Sequence, residues 1–257
     1  MNTELETNTA NHKISAKTRF SIVAVALVAF MGILAETSLN VTFPTLEKTF
    51  GLPLSTVQWV TTAYLLVVAI VMPTSSYISQ RFQNRTLFFS GLIFFTLGDL
   101  LSLISPNFTI LMAGRLIQGI GTGIAIPLMF NLVLTKIPRE RVGLWMGFAG
   151  MILSIAPALG PTYGGLLTGT LGWRMIFAII LIIPICLFPL GAWAIEKSEK
   201  KRPGKFDFIA FIFLSLAMTS ALLALDSLSS AHFSWIWLVV FILGLIAFIW
   251  RSKTSTL

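Results

Sequence analysis

Eight stretches of apolar residues, separated by short polar segments, run the length of the chain. Their approximate limits are 20–42, 57–79, 86–105, 109–134, 142–168, 174–194, 206–226 and 234–250. A helix needs roughly 20 apolar residues to cross the hydrocarbon of a bilayer, and inside hydrocarbon the backbone must satisfy its own hydrogen bonds, as a helix does. The pattern predicts an all-α membrane protein of about eight transmembrane helices, the last being the shortest. Residues 19–195 hold six of the spans. The charged segment 196–205, with Pro203-Gly204, reads as a cytoplasmic linker, and 206–257 as two additional transmembrane helices with a short tail. Residues 1–18 are polar and lack the apolar region of a signal peptide, so they read as a cytoplasmic tail.

Composition agrees. The 257 residues are 56% hydrophobic and 11% charged, with a mean hydropathy of +0.87, where a soluble domain carries about 25% charged residues. The net charge is +8, yet the basic residues lie between the apolar runs rather than in a nucleic-acid-binding patch. Fifteen of the 18 lysines and arginines fall on one side if the N-terminus is inside; Lys48 and the boundary residue Arg174 fall on the other, and Arg115 lies within a span. The positive-inside rule then places both termini in the cytoplasm and the chain in the plasma membrane as a multi-pass protein. The single Cys186 lies in an apolar run, where it is expected to pack, and can form no internal disulfide. His12 and His232 fall outside the spans, which argues against a buried histidine metal site.

A few polar residues break the apolar runs. Arg115 costs about 2.5–3.5 kcal/mol to insert and is expected to face a bundle interior with a partner. At about 100° per residue, Gln118, Gly119 and Thr122 share its face. Glu36 in span 1, with Asn40 one turn on, and Asp99 in span 3 are the acids well inside the spans. Counting residues from the span ends puts Glu36, Asp99 and Arg115 all roughly 10 Å below the outer surface. Charges at one depth can pair, which predicts an acid–arginine cluster in the outer half of the bundle. A buried carboxylate in such a cluster can carry a proton on one stroke and release it to a cationic substrate on another. Span 5 carries Pro157 and Pro161 with two small-xxx-small surfaces, Gly143/Gly147 and Gly160/Gly164. Such surfaces allow close helix contact, and the prolines allow a bend, so the span is expected to act as a hinge or seal.

These residues resemble a known family. Arg115 followed by Leu116-Ile117-Gln118-Gly119-Ile120-Gly121 resembles the fourth-helix motif of major facilitator superfamily transporters. Gly160-Pro161-Thr162-Tyr163-Gly164-Gly165 resembles the fifth-helix motif of its drug:proton antiporters. Leu34 to Pro44, with Gly172-Trp173-Arg174, resembles the fourteen-span subfamily, and the two spans after Lys205 look like the extra pair which that subfamily inserts between its six-helix halves. There are departures. Glu36 stands where the motif usually has aspartate, and Ala156 where the antiporter motif has its leading glycine. In the 2–3 loop only Arg81 and Arg85 keep the family's charges, and Gln80 replaces an aspartate of a cytoplasmic charge relay.

The resemblance implies proton-coupled export of lipophilic or cationic drug-like compounds, with the proton gradient as energy source and no cofactor. Its partners would be the lipid bilayer, protons and a small substrate, with no nucleic acid. Glu36, Asn40, Asp99, Arg115 and Gln118 would couple proton and substrate, Gln118 as polar lining. Gly160, Pro161, Gly164 and Gly165 would set the gate, and Arg81 and Arg85 the cytoplasmic loop. The family also implies a second six-helix half, so transport is expected from a longer protein or from assembly with a second chain. A non-transporting remnant or partner subunit is the alternative reading. An intramembrane enzyme is disfavoured, because neither histidine lies in a span and the acids have no protease setting.

Overall fold

The computed structural model of the protein describes residues 14–196, 207–229 and 235–254. All regular secondary structure among them is helical. The six spans of the first unit are α1 (Ala16–Asn40), α4 (Trp59–Arg81), α5 (Asn84–Leu103), α6 (Phe108–Lys136), α7 (Arg139–Thr170) and the pair α8 (Arg174–Ile180) and α9 (Ile182–Ala194). Two short helices, α2 (Phe43–Phe50) and α3 (Leu54–Val57), link the first two spans. The hairpin α10 (Phe208–Ser229) and α11 (Trp235–Thr254) follows. Among the described residues seven helical stretches are long and apolar enough to cross a membrane; the apolar stretch of α11, 235–251, is shorter than these.

The span boundaries fall within a few residues of the expected ones, with two exceptions that have local causes. α1 starts at Ala16, inside the stretch expected to be tail, because Ser15 caps it by accepting a hydrogen bond from the Thr18 amide. The sixth span is interrupted at Leu181. Pro184 has no N–H to give the Ile180 carbonyl, which loosens the turn before it. The expected linker lies, from Lys197 on, outside the described residues, as do most of the N-terminal tail and both histidines.

α6 is the central post. It packs against α5, α4 and α1, and more lightly against α7, while α1 in turn packs against α7 and α9. Glycines set the spacing. A Cβ on Gly98 of α5 would stand 2.3 Å from the Gln118 amide nitrogen, and one on Gly121 of α6 would stand 2.5 Å from the Gly91 carbonyl oxygen. A Cβ on Gly32 would stand 2.2 Å from the Thr122 hydroxyl, so α1 also lies hard against α6. Without a strong hydrophobic drive between helices in lipid, such close backbone contact is a main source of association. α7 is mostly exposed, with Leu144, Met151, Leu159 and Leu166 on its surface.

The hairpin is closed at one end by a device the sequence reading missed. Asp207 accepts from the Ile209 and Ala210 amides at 3.1 and 3.0 Å, capping α10, and its other oxygen pairs with Arg251 of α11 at 2.7 Å. The signal was an aspartate just ahead of an apolar run, a common helix-start residue. Farther along, Gly244 of α11 packs on Ala217 of α10, and α10 leans on α4.

Candidate functional site

The polar layer forms where α1, α4, α5 and α6 meet. Arg115 is completely buried on α6. Its guanidinium stacks over the Tyr64 ring of α4, 4.0 Å from the ring centre, a cation–π arrangement that desolvation strengthens. Its Nε donates to the Val60 carbonyl at 3.4 Å and its Nη1 donates to Oε1 of Gln118. Nε2 of Gln118 then donates to Oδ1 of Asp99 on α5 at 3.0 Å. The Tyr64 hydroxyl donates to Thr122 Oγ1 at 2.9 Å, which ties α4 to α6. A tyrosine beneath the arginine was not foreseen, since a Tyr in an apolar run reads as ordinary packing.

Glu36 stands half-buried on α1 at the edge of this layer, within electrostatic range of Arg115 and next to Asn40. Asn40 is exposed and held by a neighbour: its Oδ1 accepts from Thr61 Oγ1 of α4 at 3.0 Å. That leaves the Asn40 amide N–H groups for the Glu36 carboxyl. Thr61 is a second residue that sequence reasoning did not single out.

The expected acid–arginine cluster thus exists in a different form. Neither Glu36 nor Asp99 makes an ion pair with Arg115 within 4 Å; the link to Asp99 runs through Gln118. Gln118, expected as polar lining, faces Asp99 in this structure. It is fully buried between α5 and α6, where Gly98 lets the backbones meet.

The fifth-span motif divides. Gly164 lies against the backbone of Ser38, where a Cβ would be 2.3 Å from the carbonyl oxygen, and Gly160 lies against the Thr37 side chain. Both therefore press on α1 directly after Glu36. Pro161 and Gly165 point to the exposed side, and a Cβ on Gly165 would meet nothing within 4 Å. The same is true of Gly143 and Gly147, so the second small-xxx-small surface makes no helix contact in this structure. Tyr163 of the motif donates to the Ile176 carbonyl at 3.0 Å and fastens α7 to α8.

At the ends of the spans, Arg85 lies over the Phe89 ring at 5.9 Å, and Arg81 is exposed at the end of α4; neither reaches the polar layer. Arg174 stacks on Trp173 and donates to the Ser105 carbonyl at 2.7 Å, joining the start of α8 to the α5–α6 turn. Cys186 is exposed on α9 rather than packed, because its neighbours Pro184 and Leu187 take the inward face. Among the described residues no cluster of His, Cys, Asp or Glu could hold a metal ion.

A bundle of membrane-length helices crossed by one buried charged layer defines a multi-pass membrane protein, not a soluble enzyme. The sequence profile of the Major Facilitator Superfamily matches residues 25–254, and the chain belongs to that family of transporters. It is 35% identical over 240 residues to the lincomycin resistance protein LmrB of Bacillus subtilis, covering 91% of this chain and 50% of that one. It is 31% identical over 201 residues to a multidrug resistance protein B homolog of Mycobacterium tuberculosis, covering 78% and 37%. In fold it is similar to a crystal structure of a peptide transporter in complex with sulfate, with a TM-score of 0.66 at 13% identity, covering 91% of this chain and 53% of that one. The chain spans about half the length of the curated relatives it matches.

Proposed function

We propose that this chain supplies the N-terminal six-helix half and the two additional helices of a fourteen-span drug:proton antiporter. It works with a second six-helix half, and it exports lipophilic, cationic drug-like compounds from the cytoplasm in exchange for protons. Glu36 is the exchanging carboxyl, Asn40 orients it, and Arg115 sets its electrostatic surroundings. The motif Gly160-Pro161-Thr162-Tyr163-Gly164-Gly165 is the seal that moves against α1. Both termini lie in the cytoplasm of a plasma-membrane protein.

The observation that carries this reading is the position of Glu36. It is the one carboxyl of the polar layer that is half-buried rather than enclosed, and the two glycines of α7 pack on the residues that follow it. A shift of α7 along α1 therefore changes the surroundings of Glu36, as alternating access between halves requires. The names of the relatives point to the same substrate range, lincomycin and multiple drugs.

The test is uptake of a fluorescent lipophilic cation into everted membrane vesicles carrying this chain together with a second half. The expected result is uptake driven by a proton gradient and abolished by Glu36→Gln, with membrane insertion intact. Unaltered uptake in the variant contradicts the assignment.

A further inference from the structure

A fully buried arginine needs a counter-charge, and Arg115 has two carboxylates on offer, Glu36 of α1 and Asp99 of α5. The hydrogen bonds run to one of them. Gln118 turns its carbonyl to the guanidinium and its amide to Oδ1 of Asp99, so one side chain joins the arginine to the carboxyl group. The Val60 carbonyl and the Tyr64 ring fix the guanidinium from the α4 side. Glu36 has Asn40 as its neighbour and no ion pair with Arg115 within 4 Å. Among the described residues no group bonds Nη2 of Arg115 or Oδ2 of Asp99. The guanidinium thus keeps the two N–H groups of Nη2, which can turn to another acceptor. Asp99 itself is fully buried and belongs to none of the motifs described above.

We propose that Asp99, acting through Gln118, is the resident counter-charge of Arg115: a positioning residue that holds the guanidinium toward α5 and leaves the Glu36 carboxyl free to exchange a proton for a cation. The inference rests on the reading of Glu36 given above and deepens it. With both carboxylates ionised, the three groups carry one net negative charge, which one proton or one monovalent cation on Glu36 cancels. Without the charge on Asp99, Arg115 turns its free Nη2 to Glu36, and the neutral pair so formed has nothing to offer a cation. Among the described residues Tyr64 of α4 and Tyr163 of α7 are the other titratable side chains within electrostatic range of the cluster.

A lipophilic carbodiimide tests this without transport. A protonated carboxyl adds across one of its C=N bonds, oxygen to carbon and proton to nitrogen, to give an O-acylisourea that rearranges by an O-to-N acyl shift to a stable N-acylurea, whereas a carboxylate held by arginine does not. The full chain is purified into lipid nanodiscs, labelled, and read by peptide mass spectrometry, with Glu36→Gln as the blank. The expected result is labelling of Glu36 in the wild type and a fall of about tenfold in Asp99→Asn, the change for an added interaction of one pKa unit. Gln118→Leu, which cuts the link but keeps both charges, gives the same fall. Asp99→Glu stays close to wild type, and the double variant D99N/R115Q regains labelling. A merely structural Asp99 predicts no recovery in the double variant. The inference is overturned by an unlabelled wild-type Glu36, by wild-type labelling in Asp99→Asn, or by a double variant that is monodisperse yet as poorly labelled as D99N. Tetraphenylphosphonium is added as the probe cation in a parallel arm. If the variants behave as stated but the cation gives Glu36 no protection, Asp99 stands as the counter-charge of Arg115, while the exchange of a cation at Glu36 and the export reading fail.

Discussion

Tyr64 shows how one side chain can serve both packing and electrostatics. Its ring lies under Arg115 and its hydroxyl bonds Thr122, so it joins α4 to α6 at the depth of the charged layer. The two contributions separate by substitution. Tyr64→Phe keeps the ring and loses one hydrogen bond, at a cost of about 1 kcal/mol. Tyr64→Ala removes the ring as well, leaving a cavity beneath a buried cation, at a cost of about 3–5 kcal/mol. Thermal unfolding of purified protein in detergent is expected to rank them in that order; equal destabilisation would show that the ring contributes nothing beyond the hydroxyl. The charged residues of this layer were legible in the sequence because charge is rare inside apolar runs. Tyr64 and Thr61 were not, because an uncharged polar residue in a span gives no such contrast. Nor could spacing reveal that Gln118 faces Asp99: it fixes the face of one helix, while the neighbour that face meets is a tertiary fact.

At the scale of the helix, identical glycine motifs have opposite meanings. A Cβ on Gly164 would lie 2.3 Å from backbone of α1, which cannot yield without moving the helix. Gly160 faces Thr37, whose hydroxyl can rotate but whose Cβ, 2.6 Å away, is fixed by the backbone of α1. Gly143 and Gly147 face open space. Gly164→Ala and Gly160→Ala are therefore each expected to cost about 1–3 kcal/mol by overpacking. Gly143→Ala is expected to stabilise the chain by up to about 1 kcal/mol through helix propensity. Detergent melting curves of the three variants check the order, and a Gly143→Ala variant as unstable as Gly164→Ala would contradict it. The periodic motif marks both pairs equally, since a small-xxx-small pattern records the possibility of close contact and not its occupant. The span limits themselves were legible to within a few residues, because bilayer thickness constrains length. The break at Leu181 was legible only in hindsight, from Pro184.

Over the whole molecule, the architecture is a bundle organised on α6, with Glu36, Asp99 and Arg115 gathered in one polar layer and α7 largely uncovered on the outside. Hydrophobic patterning was enough to predict that bundle, and the motifs were enough to predict the family to which the chain belongs. The order of helices around α6 came only from the structure, because glycine contacts and hydrogen bonds between distant residues decide it. The central claim is that Glu36 trades a proton for a cation. Proton release from purified protein in weakly buffered solution, on addition of tetraphenylphosphonium, measures that trade directly. The account predicts release of about one proton for each cation bound at a pH where Glu36 is protonated, and none from Glu36→Gln. Cation binding without proton release, or release from Glu36→Gln equal to that of the wild type, would contradict it.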